Sequence, residues 1–271
     1  MRFAICNETF QEWPLEKACD YAAEAGYQGI ELAPFTLGDF PVTLTAKRCA
    51  QVRQTIERSG LECVGLHWLL AKTSGLHVTH PTKEIREKTV RYLGALASLC
   101  SDLGGRVLVF GSPQQRSRMA GVTQDQALGW LAETFTNLIP ALESTNTILA
   151  LEPLSPVETD VLNTADATCD ILRQIDSPHV RLLLDVKAMS SEGKSIPEII
   201  ATSHDYLEHF HANDANLQGP GFGDIDFRPI LKSLQDNQYN GWVSVEVFDY
   251  SPGIERLANE SISHLTKCMR A

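Results

Sequence analysis

Four segments in the second half of the sequence share one arrangement, a short hydrophobic run that ends on an acidic residue or a histidine. The terminal residues are Glu152, Asp185, His211 and Glu246. Three carboxylates and one imidazole form a hard oxygen and nitrogen ligand set that suits Mn²⁺, Mg²⁺ or Co²⁺, with Zn²⁺ as a further option. A single strand-end carboxylate is more often a helix cap or a loop charge. Because four such residues recur in the same position, the pattern favours one shared divalent metal site.

The hydrophobic runs before these residues have the alternation of β-strands. Side chains alternate between the two faces of a strand, so the residue two positions before each candidate ligand shares its face. The other face carries large apolar residues, which are suited to packing against helices. These apolar residues are Leu149, Leu151, Leu182, Leu184, Phe210, Val243 and Val245. The pattern predicts four strands that bring their ends to a common site.

Strand and helix patterns alternate along the whole chain, which is typical of parallel βα units. Pro14 begins the first helical pattern and Gly26 ends it. Eight strands with about eight helices are most simply closed as an α/β fold with a single (β/α)₈ TIM barrel over residues 1–271. A doubly wound open sheet is the alternative, but its glycine-rich turn after the first strand is absent. The other strands are predicted near residues 2–6, 28–32, 61–68 and 106–110.

The barrel topology explains why the candidate ligands lie at strand ends. In this fold the carboxyl ends of all strands meet at one mouth, where catalytic groups gather. The four residues would end strands five to eight and line half of that mouth. Scattered surface acids would not show this regularity.

Composition narrows the class of partner. The 271 residues have a formal net charge of −11, whereas nucleic-acid-binding proteins usually carry basic patches. No window is long and apolar enough to span a membrane, and the N-terminus lacks the hydrophobic region of a signal peptide. The seven cysteines are scattered and never form Cys-x-x-Cys, which is typical of reduced thiols. We expect a cytoplasmic protein that acts on a small molecule, without nucleic-acid or membrane partners.

Short motifs at these positions resemble those of one family. They are Gly29-Ile30-Glu31-Leu32, Gly65-Leu66-His67-Trp68, Leu151-Glu152-Pro153-Leu154, Leu184-Asp185, His209-Phe210-His211, Val245-Glu246 and Pro220-Gly221-x-Gly223-Asp224. With them the sequence resembles the xylose isomerase-like TIM barrel superfamily, in particular its sugar (phosphate) isomerase/epimerase branch, which includes ketose 3-epimerases. The resemblance covers nearly the whole chain. It implies a sugar substrate, one divalent metal ion and assembly into homodimers or homotetramers.

The resemblance also implies roles for individual residues. Glu152, Asp185, His211 and Glu246 would bind the metal, and the two glutamates would double as the acid–base pair. Glu158, six residues after Glu152, matches a position that contacts the sugar in ketose 3-epimerases. Two positions depart from that pattern, because Ala188 stands where those enzymes usually have a histidine and Leu217 where they usually have an arginine. The family therefore predicts the reaction class, and the substrate is left open.

Such a site is suited to moving a proton next to a sugar carbonyl. A divalent cation stabilises the enediolate, and a carboxylate on each side can remove a proton and return one. Return to the same carbon gives epimerisation and return to the adjacent carbon gives aldose–ketose isomerisation. A sugar dehydratase or lyase on the same scaffold is the main alternative. A phosphodiesterase of the endonuclease branch and a non-enzymatic binding barrel are less favoured, because the former needs further histidines and the latter has no use for a ligand set.

Four more residues are candidates for binding the sugar. Glu31 ends the second strand and His67 lies near the end of the third, so both could bond sugar hydroxyl groups. A loop salt bridge for Glu31 and a hydrogen-bonded core histidine for His67 are equally open interpretations. Arg116, after the fourth strand, could bind a carboxylate or phosphate through two hydrogen bonds, although solvated loop arginines are commoner. Lys187 could replace the histidine that is missing at Ala188, although a solvated lysine is also expected there.

Overall fold

Eight parallel strands close into one barrel in the computed structural model, which describes residues 1–270. Each strand pairs with its neighbours in chain order, and the first strand pairs with the last. Ala271, the last residue of the predicted 1–271 domain, lies outside the described residues. The strands are β1 (Arg2–Cys6), β2 (Gly29–Leu32), β3 (Glu62–Leu66), β4 (Val107–Phe110), β5 (Ile148–Leu151), β6 (Val180–Asp185), β7 (Leu207–Ala212) and β8 (Trp242–Val245). The predicted TIM barrel is confirmed.

Helices connect the strands and cover the barrel from outside. Within residues 1–270 they are α1 (Leu15–Ala25), α2 (Ala46–Arg58), α3 (Lys83–Asp102), α4 (Gln124–Thr145), α5 (Ala165–Ile175), α6 (Val186–Met189), α7 (Ile196–Ser203), α8 (Phe227–Asp236) and α9 (Ile254–Arg270). None of them has the length and hydropathy that crossing a membrane requires.

Local sequence signals account for where the helices begin and end. Pro14 precedes α1, and Gly26 follows it with a φ of 105°, a left-handed conformation that glycine adopts without steric cost. The α4 helix begins with a capping box, in which Thr123 accepts from the backbone of Gln126 and the Gln126 side chain accepts from the backbone of Thr123. These signals are local, and the boundaries predicted for the first helix from Pro14 and Gly26 are confirmed.

The strands separate two hydrophobic regions. One face of the strands packs against the helices in the main core, which includes Leu149, Leu151, Leu182 and Leu184. The other face lies inside the barrel, where a smaller cluster contains Ala150 and its neighbours Val107, Val109 and Leu183. The alternation predicted for β5 and β6 is therefore confirmed, and it directs the residues that follow on the inner face towards the barrel mouth.

Two segments near the mouth differ from the predicted elements. The β3 strand ends at Leu66 rather than at residue 68, because Trp68 has a φ of 53°, which breaks the extended conformation. The short α6 helix follows β6 directly, and the Asp185 side chain caps it by accepting from the backbone N–H of Ala188. Both differences concern residues next to the candidate ligands, since Trp68 contacts Glu246 and α6 begins directly after Asp185.

Candidate active site

The four predicted metal ligands meet at the mouth of the barrel. Glu152, Asp185, His211 and Glu246 each offer a ligand atom, and these atoms all lie within 4.8 Å of one another. The four side chains are buried, with Glu152 the most exposed at 6%. Parallel strands in one barrel produce this convergence, since β5, β6, β7 and β8 are consecutive neighbours.

Asp185 is held by hydrogen bonds to both carboxylate oxygens. Its Oδ1 accepts from the backbone N–H of Ala188 at 2.8 Å, and its Oδ2 accepts from Asn213 Nδ2 at 2.6 Å. Asn213 Oδ1 in turn accepts from the backbone N–H of Lys187 at 2.8 Å. These bonds orient the carboxylate from behind, as supporting residues do for metal ligands.

His211 lies between two carboxylates. Its Nδ1 is 2.9 Å from Glu246 Oε2, and its Nε2 is 3.2 Å from Glu31 Oε1. Burial alone would lower the pKa of His211, but Glu31 and Glu246 raise it well above its usual value. Glu31 also accepts from His209 Nε2 at 2.8 Å. With Nε2 directed at Glu31, the remaining nitrogen of His211 faces the other candidate ligands, which is the arrangement a metal-binding histidine needs.

Glu246 is also fixed on two sides. Trp68 Nε1 donates to Glu246 Oε1 at 2.8 Å, and His211 holds the other oxygen. Burial alone would raise the pKa of Glu246, but His211 lowers it below its usual value through its charge and its hydrogen bond. The Glu246 carboxylate is therefore ionised and held in place.

Glu152 has the opposite environment. Within residues 1–270 its carboxylate makes no hydrogen bond to another side chain. Gly111, directly after β4, leaves space for it, since a Cβ there would lie 2.3 Å from Glu152 Oε2. Burial raises the pKa of Glu152 well above its usual value, and Asp185 and Glu246 raise it further. Three buried carboxylates with too few positive charges are what a divalent cation would neutralise, so these residues fit a metal ion.

A cavity of about 450 Å³ opens beside the four residues. Glu152 and Glu246 line it together with Glu158 and Lys187. Lys187 Nζ donates to Glu158 Oε1 at 2.7 Å and lies 4.4 Å from the centre of the Phe248 ring. Burial alone would lower the pKa of Lys187, but Asp185 and Glu158 raise it, so the amine carries its charge. The cavity wall thus combines two buried carboxylates with an ion pair that offers both a hydrogen-bond donor and an acceptor.

The other three residues predicted to bind the sugar are fully buried and do not line this cavity. Arg116 donates from Nη1 to the backbone oxygen of Glu152 at 2.6 Å, and burial lowers its pKa to about 10. His67 Nε2 is 2.5 Å from Glu8 Oε2, and Glu31 contacts His209 and His211. Their role in substrate binding stays a prediction, and their contacts support the walls of the site.

One residue near the site was missed by sequence reasoning. Glu8 follows β1 and contacts His67, and a position just after a strand is the signal that also marked the candidate metal ligands. Trp68 lies in one of the motifs that resemble the family, but nothing near it in the sequence reveals the bond from its indole to Glu246. The two positions that depart from the ketose 3-epimerase pattern carry apolar side chains. Ala188 is buried and Leu217 is 44% exposed.

Comparison with known proteins identifies the family. A model of the xylose isomerase-like TIM barrel family matches residues 19–268. The chain belongs to this family. The resemblance inferred from the motifs is confirmed, and the match spans strands β2 to β8 and all four candidate ligands.

The relatives of this xylose isomerase-like protein are sugar epimerases. A probable ketose 3-epimerase of Synechocystis is 25% identical over 235 residues, which cover 86% of this chain and 78% of the relative. The 3-dehydro-D-guloside 4-epimerase of Escherichia coli K12 is 24% identical over 257 residues, which cover 91% and 92%. The solved D-psicose 3-epimerase of Clostridium cellulolyticum with D-tagatose has a TM-score of 0.89 at 20% identity, with 99% of both chains covered. The expectation of an enzyme is confirmed, and the structural match shows the shared fold.

Proposed function

We propose that this protein is a divalent-metal-dependent sugar epimerase or isomerase that moves a proton on a carbon next to a carbonyl. The observation that carries the proposal is the convergence of Glu152, Asp185, His211 and Glu246 within 4.8 Å beside a cavity. Sugar epimerases among the relatives support the same reaction class. Asp185 and His211 hold the ion, and Glu152 and Glu246 both bind it and handle protons.

The metal has one task in this proposal. A divalent cation held by the four residues would polarise the sugar carbonyl and stabilise the enediolate charge that develops when the neighbouring proton leaves. Three carboxylates and one imidazole favour Mn²⁺, Mg²⁺ or Co²⁺. We propose one ion per chain.

The two glutamates differ in how they are held, which supports separate roles. Glu246 is fixed by Trp68 and His211 and is ionised, so it is suited to removing a proton in one orientation. Glu152 has no side-chain hydrogen bond within the described residues and is free to receive or return a proton. Each positioned acid–base group contributes about 10²–10⁴-fold to the rate.

Lys187 and Glu158 provide the proposed grip on the sugar. Their ion pair lies in the cavity wall and presents both a donor and an acceptor to hydroxyl groups. The ketose 3-epimerases that this chain resembles usually have a histidine and an arginine that help to hold the sugar. This chain has Ala188 and Leu217 at those two positions. We propose that Lys187 replaces part of that grip, so that the preferred sugar differs from the free ketoses those enzymes use.

Proton exchange with solvent tests the proposal most generally. The protein is loaded with Mn²⁺ and incubated in D₂O with ketoses, aldoses, 3-keto-glycosides and keto-acid sugars, and each product is analysed by NMR. Deuterium at one carbon next to the carbonyl, together with the epimer or isomer, is the expected result. An unsaturated or dehydrated product would instead identify a dehydratase or lyase. Bound metal with no deuterium in any sugar would contradict the proposal.

A further inference from the structure

A second cavity of about 670 Å³ lies next to the first, on the side of β1 and β2. The two cavities share Trp68 and Lys72 in their walls. We infer that the second cavity binds a further sugar ring attached to the substrate, so that the substrate is a disaccharide or glycoside rather than a free monosaccharide. This inference rests on the proposed function, because it extends the substrate away from the same site.

Trp68 forms the boundary between the two cavities. Its indole stacks on Phe248 with ring centres 6.2 Å apart, lies 5.9 Å from the ring centre of Phe35, and donates to Glu246. Its φ of 53° is unusual for a bulky residue. Backbone strain of this kind is retained where the surrounding structure needs the side chain in one place. Trp68 is therefore held against both the proton-handling glutamate and the second cavity.

The walls of the second cavity combine aromatic faces with polar groups. The aromatic residues are Trp13, Phe35, Trp68 and Tyr250, the polar residues are Asn7, Glu8, Gln11, Glu12, Thr36 and Lys72, and the aliphatic residues are Leu15, Ala18 and Leu37. A sugar ring has C–H groups on its faces and hydroxyl groups on its edge. The faces pack on aromatic rings, and the hydroxyl groups donate to carboxylate and amide oxygens. This mixture matches a sugar ring better than a purely apolar group.

Glu8 points to the same occupant. Its Oε2 is 2.5 Å from His67 Nε2, whereas its Oε1 is buried without any hydrogen-bond partner within the described residues. Glu8 is 6% exposed and lines the second cavity. An unpartnered buried acceptor is costly unless a ligand supplies a donor. A hydroxyl group of a sugar ring supplies that donor.

Binding of matched test sugars to the Mn²⁺-loaded protein measures the inference directly. D-fructose is compared with three glucosyl-fructoses that keep a free keto group, namely maltulose, leucrose and isomaltulose, by isothermal titration calorimetry. They attach the second ring at different oxygens, so one of them is expected to reach the second cavity. We expect at least one disaccharide to bind about tenfold more tightly than D-fructose, a difference of about 1.4 kcal/mol.

Variants of the second cavity separate its contribution from that of the first. Trp13→Ala is expected to bring the Kd of the preferred disaccharide close to that of D-fructose, and Glu8→Gln is expected to reduce the preference in the same direction if Trp13→Ala does not fold. Glu12→Gln, at the wall of the second cavity, is also expected to reduce the preference for the disaccharide. Its matched control is Glu16→Gln, which alters an exposed glutamate on α1 outside the cavity. Glu16→Gln is expected to leave the preference unchanged.

The outcomes distinguish the subsite from the proposed function. Equal affinity for all four sugars, no binding of any disaccharide, or an equal loss of affinity for D-fructose and the disaccharide in Trp13→Ala would overturn the inference. Deuterium uptake by D-fructose without any preference for a disaccharide would support the proposed function and reject the subsite. Tight disaccharide binding without deuterium uptake would support the subsite and contradict the proposed function.

Discussion

The two halves of the barrel mouth divide the work differently. The half formed by β5 to β8 provides the four candidate metal ligands, which lie beside the cavity. The half formed by β1 to β4 provides residues that support these ligands. Glu31 on β2 contacts His211, Trp68 after β3 donates to Glu246, and Gly111 after β4 leaves space for Glu152. His67, also after β3, lies behind the site. The half formed by β5 to β8 carries the proposed chemistry, and the half formed by β1 to β4 sets its geometry.

The comparison shows that an acid at a strand end has no single role. Glu31 and Glu246 both lie on the inner face of the barrel and both contact His211, yet Glu31 is fully buried while Glu246 lines the cavity. Burial alone would raise the pKa of Glu31, but His209 and His211 hold it well below its usual value. A buried carboxylate between two histidines orients them, whereas a carboxylate beside a cavity can also exchange protons.

The largest effect is expected in the half that carries the chemistry. Glu246→Gln removes the proposed proton-handling group but keeps an oxygen that can face the metal, so solvent deuterium uptake by the substrate is expected to fall about 10²–10⁴-fold. Mn²⁺ binding, measured by calorimetry on the same protein, is expected to persist. Glu260→Gln, an exposed glutamate paired with Arg256 on α9, is the matched control. Full turnover of Glu246→Gln would remove Glu246 from the mechanism.

An intermediate effect is expected in the supporting half. Glu31→Gln removes the charge that orients Nε2 of His211, and loss of such a supporting group typically weakens metal binding about 10–100-fold. The Mn²⁺ affinity is measured by calorimetry, and the Tm of the metal-free protein shows whether folding is affected. Glu62→Gln, an exposed glutamate that begins β3 and pairs with Arg2, is the control. Unchanged affinity in Glu31→Gln would mean that the two halves are not linked through His211.

The smallest effect is expected in the sugar grip. Lys187→Met removes a donor from the cavity wall while keeping the length of the side chain, and a hydrogen bond contributes about 0.5–1.5 kcal/mol. We expect KM for the preferred sugar to rise about two- to tenfold, with a smaller change in kcat. Lys194→Met alters an exposed lysine paired with Asp166 and is the matched control. A fall in kcat with unchanged KM would show that Lys187 acts in the chemistry rather than in binding.

Much of the fold and the ligand set could be predicted from sequence, because both depend on periodicity. Alternating apolar residues, Pro14, Gly26 and the strand-end acids are local signals, and one topology then brings Glu152, Asp185 and Glu246 together. The barrel and the strand order follow from them, whereas the family was inferred from the resemblance of short motifs. The prediction that these residues bind metal has a geometric basis in the structure, and the metal itself is left to experiment.

The supporting contacts could not be predicted in the same way. The bond from Trp68 to Glu246 joins residues 178 positions apart, and it depends on a left-handed backbone at a residue that gives no local signal for one. Arg116 illustrates the same limit, because a loop arginine is usually solvated, whereas here it donates to the backbone of Glu152 and is fully buried. Such contacts depend on the packed loops of the mouth, which periodicity does not describe.

Titration of the chelator-treated protein with Mn²⁺ tests the central claim, that the ends of β5 to β8 form one metal site. We expect one ion per chain in the unaltered protein, with an affinity that rises with pH because His211 and Glu152, whose pKa values are both raised, must lose protons to bind it. Asp185→Ala and His211→Ala, with folding checked by circular dichroism, are each expected to abolish tight binding. No ion in the unaltered protein, or undiminished binding in both variants, would contradict the account.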